Sequence, residues 1–192
     1  MGWPSAPAGR GTKFSCSLGG WRGFAAALLL LLATQAGANA TAERQLQIAP
    51  TDSKPSFVLP SLDGVHHDLR EHAGRVVLVH FFATWCEPCR EELASLSNLA
   101  RAPGIEPPLI LAINVAEVPG RVRRFLEGTP LDFPVLLDSD RTVTRAWGVY
   151  ALPTTYVLDR SLTPRLVVEG DLDWTREDVV AALRRVAELA SP

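Results

Sequence analysis

From residue 55 onward the apolar positions come in short blocks whose period changes along the chain. Val76 to Ala83 (VVLVHFFA) is a run of β-branched and aromatic residues interrupted only by His80, and Leu109 to Val115 (LILAINV) is a second such run. Blocks of this kind, without polar alternation, predict strands buried on both faces. Between them Leu93, Leu96, Leu99 and Ala100 recur at helical spacing with charges in the gaps, so a helix is predicted from Pro88 to about Arg101, stopping near Pro103-Gly104. Gly120 to Gly128 (GRVRRFLEG) predicts another short helix, and Phe133 to Leu137 a brief strand or an extended entry. Asp140 is placed to cap a helix running through Trp147, because its carboxylate can accept from the free amides of a first turn. Thr154 to Leu158 and Leu166 to Glu169 predict two strands close in sequence. A last helix starts near Asp173 to Thr175 and turns Val179, Val180, Leu183, Val186, Ala187 and Leu189 to one face. Ahead of all these, Phe57 to Leu59 is a short candidate strand, and Leu62-Asp63-Gly64 reads as a turn.

Buried strands separated by helices imply a parallel core, while two strands joined by a short connection imply an antiparallel edge. The pattern predicts an α/β domain with a mixed central sheet sandwiched by helices.

The first forty residues follow a different rule. Arg10, Lys13 and Arg22 make a basic, acid-free start, Phe24 to Ala33 is an unbroken apolar run of ten, and TQAGANA follows. This is the layout of a secretory leader, with Ala36-x-Ala38 or Ala38-x-Ala40 as the small-residue cleavage pattern. A membrane needs about 20 apolar residues to be spanned, so residues 1–40 are expected to be a signal peptide, with a retained N-terminal membrane anchor as the alternative. Thr41 to Pro55 reads as a linker, giving residues 41–54 that role and residues 55–190 the folded domain. An exported, periplasmic location follows, soluble after cleavage or anchored facing the periplasm.

Charge narrows the function. All 21 acidic residues lie beyond Ala40; setting aside the three basic leader residues leaves 16 of the 19 basic ones, a net charge of about −5. That balance speaks against a nucleic-acid partner, which requires a concentrated positive surface.

Beyond the leader, which holds Cys16, the only cysteines are Cys86 and Cys89. A structural zinc site takes four ligands, usually two such pairs or a pair with two histidines. Here there is one pair, and His66, His67, His72 and His80 all precede it. A staple across so short a loop would constrain the unfolded chain little. Redox chemistry is left, and the position suits it: the pair falls where a buried strand ends and a helix begins, with Pro88 tolerated in the first turn. Free amides and the helix dipole there favour an anionic sulfur, making Cys86 the attacking thiolate and Cys89 the resolving thiol.

WCEPC after VVLVHFFAT, followed later by LPTTYVLD, resembles the thioredoxin superfamily and within it the exported TlpA/ResA-like branch, over roughly Pro55 to Leu189. The resemblance implies a thioredoxin fold with an N-terminal extension, matching Pro55 to Leu69, and a central helical insert, matching about Pro119 to Leu126. It implies a cis bond at Pro153, and contact with substrate by Trp85, Glu87, Pro88, Leu152 and Pro153. It implies a redox-active Cys86–Cys89 disulfide with no other cofactor and no metal. Glu92 matches a glutamate associated in that group with proton handling; the alternative is a solvated helix face like that of Glu91. His80 departs from the resemblance, standing where thioredoxins have aspartate and many TlpA-like proteins asparagine. Alternation puts it on the face of Leu78 and Phe82, where it is either a base for the proton of Cys89 or a satisfied core histidine.

The expected activity is that of a thiol:disulfide oxidoreductase working as a protein disulfide reductase. Glu87 and Glu92 place negative charge near the thiolate, which disfavours the reduced form and shifts the couple toward donating electrons. By resemblance the clients are apocytochrome c or a copper-delivery protein, with a membrane electron donor restoring the dithiol. A disulfide oxidant or isomerase on the same scaffold and a copper-binding chaperone are the alternatives. A peroxiredoxin-type site, Pro-x-x-x-Thr/Ser-x-x-Cys, is not matched, because Val79 and Ala83 occupy its proline and hydroxyl positions.

Overall fold

A computed structural model describes residue 2 and residues 46–50, 52–103, 106–128 and 131–189. The predicted leader, residues 1–40, lies outside the described residues save for Gly2, as do Gly104 and part of the linker. Among the described residues no helix is long and apolar enough to cross a membrane.

The two apolar runs form the centre of the sheet. Strand β4 (Val77–Phe82) pairs in parallel with β5 (Leu109–Val115), and β5 in parallel with β6 (Val135–Asp138). On the other flank β7 (Thr154–Leu158) runs antiparallel to β4, and β8 (Pro164–Glu169) antiparallel to β7. The sheet has six strands, the outermost being β1 (Gln47–Ile48), paired antiparallel with β8. The stretch expected to be a linker therefore already contributes to the sheet. Two residues without apolar alternation give no strand signal on their own; β1 exists because the edge of β8 offers it backbone partners.

Helices cover both faces. On one lie α1 (Glu87–Leu99) and α4 (Glu177–Glu188), packed with Leu78, Ile110 and Val157 around the buried Trp174. On the other, Val77, Val79 and Phe81 meet Phe57, Leu69, Trp147 and Tyr156, with the short α3 (Thr142–Ala146) between. Trp147 fastens the extension there: its indole N–H donates to the Pro55 carbonyl, and its own carbonyl accepts from Lys54 Nζ and the Tyr156 hydroxyl. The extension forms a hairpin of β2 (Val58–Pro60) and β3 (His66–Asp68), bridged to β6 through Ser61 and Leu136. The insert is α2 (Pro119–Leu126), whose Val122 is fully buried beside the cysteine pair.

Four boundaries differ from expectation for local reasons. Phe133 and Pro134 stay outside β6, and β8 begins two residues before Leu166, at Pro164, on an edge-ward position that proline tolerates. Helix α3 is a single turn: Asp140 accepts from the Thr142 amide, but the Val143 and Thr144 amides are taken by the buried Asp138. Helix α4 starts at Glu177 because Asp173 spends its carboxylate on the amide and hydroxyl of Thr175, building the preceding turn.

Candidate active site

Strand β4 ends in the core and α1 begins at the surface, and the turn between them carries the cysteines. Cys86 is the N-cap of α1, Pro88 lies in its first turn, and Cys86 and Cys89 form a disulfide. The two sulfurs differ in setting. Cys89 is fully buried one turn into the helix, whereas Cys86 borders exposed Trp85, Glu87 and Pro88. Leu152 packs against the cluster containing both cysteines, and the Leu152–Pro153 peptide is cis. The fold thus gathers all seven residues expected at the cysteine pair and its substrate-contact face at one end of the sheet. The insert helps hold it there, since Phe125 of α2 stacks under the Arg90 guanidinium at 4.5 Å and contacts Phe82 at 6.2 Å.

Beneath this surface lies a sealed polar network. Glu91 is exposed, but Glu92 is 1% exposed and His80 0% exposed. Glu92 Oε1 accepts from the indole N–H of Trp174 at 2.7 Å and from the Thr155 hydroxyl at 3.1 Å. With its hydrogen committed to Glu92, Thr155 Oγ1 meets His80 Nδ1 at 2.9 Å as an acceptor, which assigns the His80 hydrogen to Nδ1. His80 Nδ1 and Glu92 Oε1 are 3.8 Å apart, and the remaining atoms of each, His80 Nε2 and Glu92 Oε2, are buried without a hydrogen-bond partner among the described residues. Burial pushes the Glu92 carboxyl up to about 8, against the pull of the Trp174 and Thr155 hydrogen bonds, with the charge of Asp171 adding to the rise. Burial also pushes the His80 imidazole down to about 3. Both groups are consequently neutral over a wide middle range of pH. Glu92 follows Cys89 by three positions on α1, so the two share a helix face.

A second carboxylate organises the loop before the cysteines. Glu117 accepts from the Thr84 amide at 2.7 Å and the Asn114 side-chain amide at 2.8 Å through Oε2, and from the Thr84 hydroxyl at 2.6 Å through Oε1. Burial opposes its ionisation, yet the bonds from Thr84 and Asn114, with Arg121 nearby, keep its pKa below the ordinary carboxylate range. Thr84 stands two residues before Cys86, so Glu117 fixes the approach of β4 to the helix mouth. Glu117→Ala is expected to lower stability by about 2–4 kcal/mol in urea denaturation, since it strands a backbone amide and a side-chain amide at a largely buried site. Stability within about 0.5 kcal/mol of the parent would show that the clamp contributes nothing.

Glu117, Thr155 and Trp174 were not singled out by sequence reasoning. Each comes from a segment remote from the cysteines in the chain, and only the β4–β5 crossover, the antiparallel register of β7 against β4, and the packing of the segment before α4 bring them in. The buried stretch Ile110 to Val115 could have hinted at the first, because Asn114 within it requires a polar partner.

A mixed sheet with helices on both faces, a cysteine pair at a strand-to-helix junction and a cis-proline beside it define a thioredoxin-fold thiol–disulfide oxidoreductase. Residues 50–163 match the model of the AhpC/TSA family, and the chain belongs to that family. It is 34% identical over 142 residues to the thiol-disulfide oxidoreductase ResA of Geobacillus thermodenitrificans, covering 72% of this chain and 79% of the relative. With ResA of Bacillus subtilis it shares 34% identity over 137 residues, 70% of this chain and 75% of the relative. Among solved structures, a secreted thiol-disulfide isomerase from Corynebacterium glutamicum aligns with a TM-score of 0.61 at 25% identity, over 77% of this chain and 95% of the other.

Proposed function

We propose that the protein is an exported, periplasmic reductase of protein disulfides. The observation that carries this reading is the asymmetric cysteine pair, Cys86 at the helix mouth and Cys89 buried one turn behind it, with a neutral carboxyl on the face of Cys89. Export is supported by the leader layout and by the secreted structural neighbour.

In the reaction, the Cys86 thiolate attacks one sulfur of a client disulfide. A Cys86–client S–S bond forms, the client bond breaks, and the departing client sulfur takes up a proton. The Cys89 thiol, losing its proton, then attacks the Cys86 sulfur, closing the Cys86–Cys89 bond and releasing the second client thiol. The client gains two electrons and two protons; the protein gives up two electrons and the Cys89 proton, and the second proton comes from the solvent, which received it when the Cys86 thiol ionised. Glu92 takes up the proton of Cys89: raised to about 8, its carboxylate is a stronger base than an ordinary glutamate's. The low basicity of His80 makes it the hydrogen-bond donor that orients Thr155 toward Glu92, the positioning role of a core histidine. A membrane dithiol donor restores the reduced pair, and the clients are apocytochrome c or a copper-delivery protein, both by resemblance.

The discriminating measurement is the reduction potential with insulin disulfide reduction beside it. A reductase is expected near thioredoxin's value, about −270 mV, with rapid insulin reduction by the prereduced protein. A potential near that of strong oxidants, about −120 mV, would assign the oxidant or isomerase role instead. Stoichiometric copper on the reduced pair without insulin reduction would assign the chaperone role.

A further inference from the structure

Beside the cysteine pair opens a cleft of about 510 Å³, bounded by Trp85 on one side and Tyr150 and Leu152 on the other, with Val149 and Val115 in its lining. Trp85 and Tyr150 are large apolar groups held 64% and 95% exposed. Aromatic side chains clustered at a rim are what interfaces use as anchors.

The charged residues lining this cleft are both arginines. Arg141 caps α3 at its start and Arg145 follows four positions later, the spacing that brings side chains to one side of a turn. Neither makes an ion pair among the described residues, although Arg145 also feels the charge of Asp140. The nearby acids are outside the cleft lining or already bonded: Glu117 by Thr84, Asn114 and Arg121, the buried Asp138 by the Val143 and Thr144 amides and the Thr144 hydroxyl, Asp140 by the Thr142 amide, and Glu87 lies between the cysteines. The cleft lining is therefore basic beyond Trp85, while at the disulfide Glu87 and Arg90 flank the two cysteines with opposite charges.

We propose that this cleft seats the client segment flanking the target disulfide, and that it selects segments in which an aromatic or large aliphatic side chain is followed by carboxylates. The apolar side chain enters between Trp85 and Tyr150, and the carboxylates meet the guanidinium forks of Arg141 and Arg145, whose planar donors suit them. The inference rests on the reading of the pair as a client reductase and adds to it a client chemistry: an acidic stretch beside the cysteines.

The test uses the prereduced full chain and three disulfide peptides identical except for an Asp-Asp, Asn-Asn or Lys-Lys step after a phenylalanine near one cysteine. Exposed ion pairs are each worth about two- to fivefold, so at low salt the Asp-Asp peptide is expected to be reduced roughly five- to tenfold faster than the Asn-Asn peptide, with Lys-Lys slowest. The preference is expected to shrink toward unity at about 1 M salt, where the Debye length is about 3 Å. Arg141→Glu with Arg145→Glu should reverse the order, and Arg141→Lys with Arg145→Lys should keep it. Equal rates for the three peptides, or an order unchanged by the charge reversal in a variant with parental circular dichroism, would overturn the cleft proposal while leaving the reductase reading intact. Failure to reduce any of the three peptides would overturn both.

Discussion

Given an oxidised protein client, the Cys89→Ala variant is expected to stop at the mixed disulfide: a covalent adduct through Cys86 that survives non-reducing electrophoresis, with turnover reduced roughly a thousandfold or more. The asymmetry of the site is the reason. Cys86, itself 6% exposed, lies among the exposed Trp85, Glu87 and Pro88 and caps the free amides of α1, so its sulfur is the one of the pair nearer the surface and the one favoured as an anion. Cys89 has no exposed surface, and its role begins only when the Cys86 sulfur is already bonded to a client. Removing the Cys89 sulfur leaves a void of little more than one atom, costing about 1 kcal/mol, so the variant is expected to fold. Cys86→Ala should give no adduct at all. An adduct that forms through Cys89 in Cys86→Ala, at a rate like that of the reverse variant, would invert the assignment of the two sulfurs. Digestion of the trapped adduct also identifies the client, and the composition of the residues around its bonded cysteine bears directly on the arginine-lined cleft.

Much of this site was legible in the chain because its signals are local. The end of an apolar run, a proline in the next turn and two cysteines one helical turn apart are all within VVLVHFFATWCEPC, and together they place the redox pair at a helix mouth with no help from distant residues. The insert α2 also lay close to its pattern, Gly120 to Gly128, while its bounds, Pro119–Leu126, are those the family resemblance implied. What could not be read depends on contacts between distant segments. Glu92 stands next to Glu91 in the sequence, and both are acidic residues of one helix; only the packing of Trp174, just before α4, over α1 decides that one is sealed and the other wet. The edge strand β1 likewise has no pattern of its own, and the roles of Thr155 and Glu117 follow from sheet register and a crossover. Local periodicity therefore located the sulfurs, and tertiary packing determined the protons around them.

Those protons have a measurable signature in stability. Glu92 is raised from 4.5 to about 8 by burial, so between these pH values the folded chain holds a proton that the unfolded chain has lost, and stability falls as pH rises through that window. His80 is lowered from 6.5 to about 3 by burial, so between those values the unfolded chain holds the extra proton, and stability rises with pH. From pH 4.5 to 6.5 the two slopes cancel, because one proton is bound by this pair in either state. Only the number of protons sets the slope, whichever of the two groups carries them. This pair leaves the wild type level over that range, apart from the rise that His72, lowered by burial, adds to all three proteins alike, then costs about 1.4 kcal/mol per pH unit from 6.5 toward 8, some 2 kcal/mol or roughly 4–8 °C in Tm. In Glu92→Gln the alkaline decline should vanish and stability should climb from about pH 3 to 6.5, then level. His80→Asn should decline from pH 4.5 onward, losing the plateau. The carboxylates of Asp68, Asp140, Asp173 and Asp178, held below their ordinary pKa by hydrogen bonds, weaken all three proteins alike at acid pH and drop out of the differences. Urea denaturation at half-unit steps of pH, on the three proteins in the same redox state, measures the curves. Parallel curves for the wild type and Glu92→Gln between pH 6.5 and 8 would mean that Glu92 is already ionised in the fold with an ordinary carboxylate's low basicity, too weak a base for the proton of Cys89.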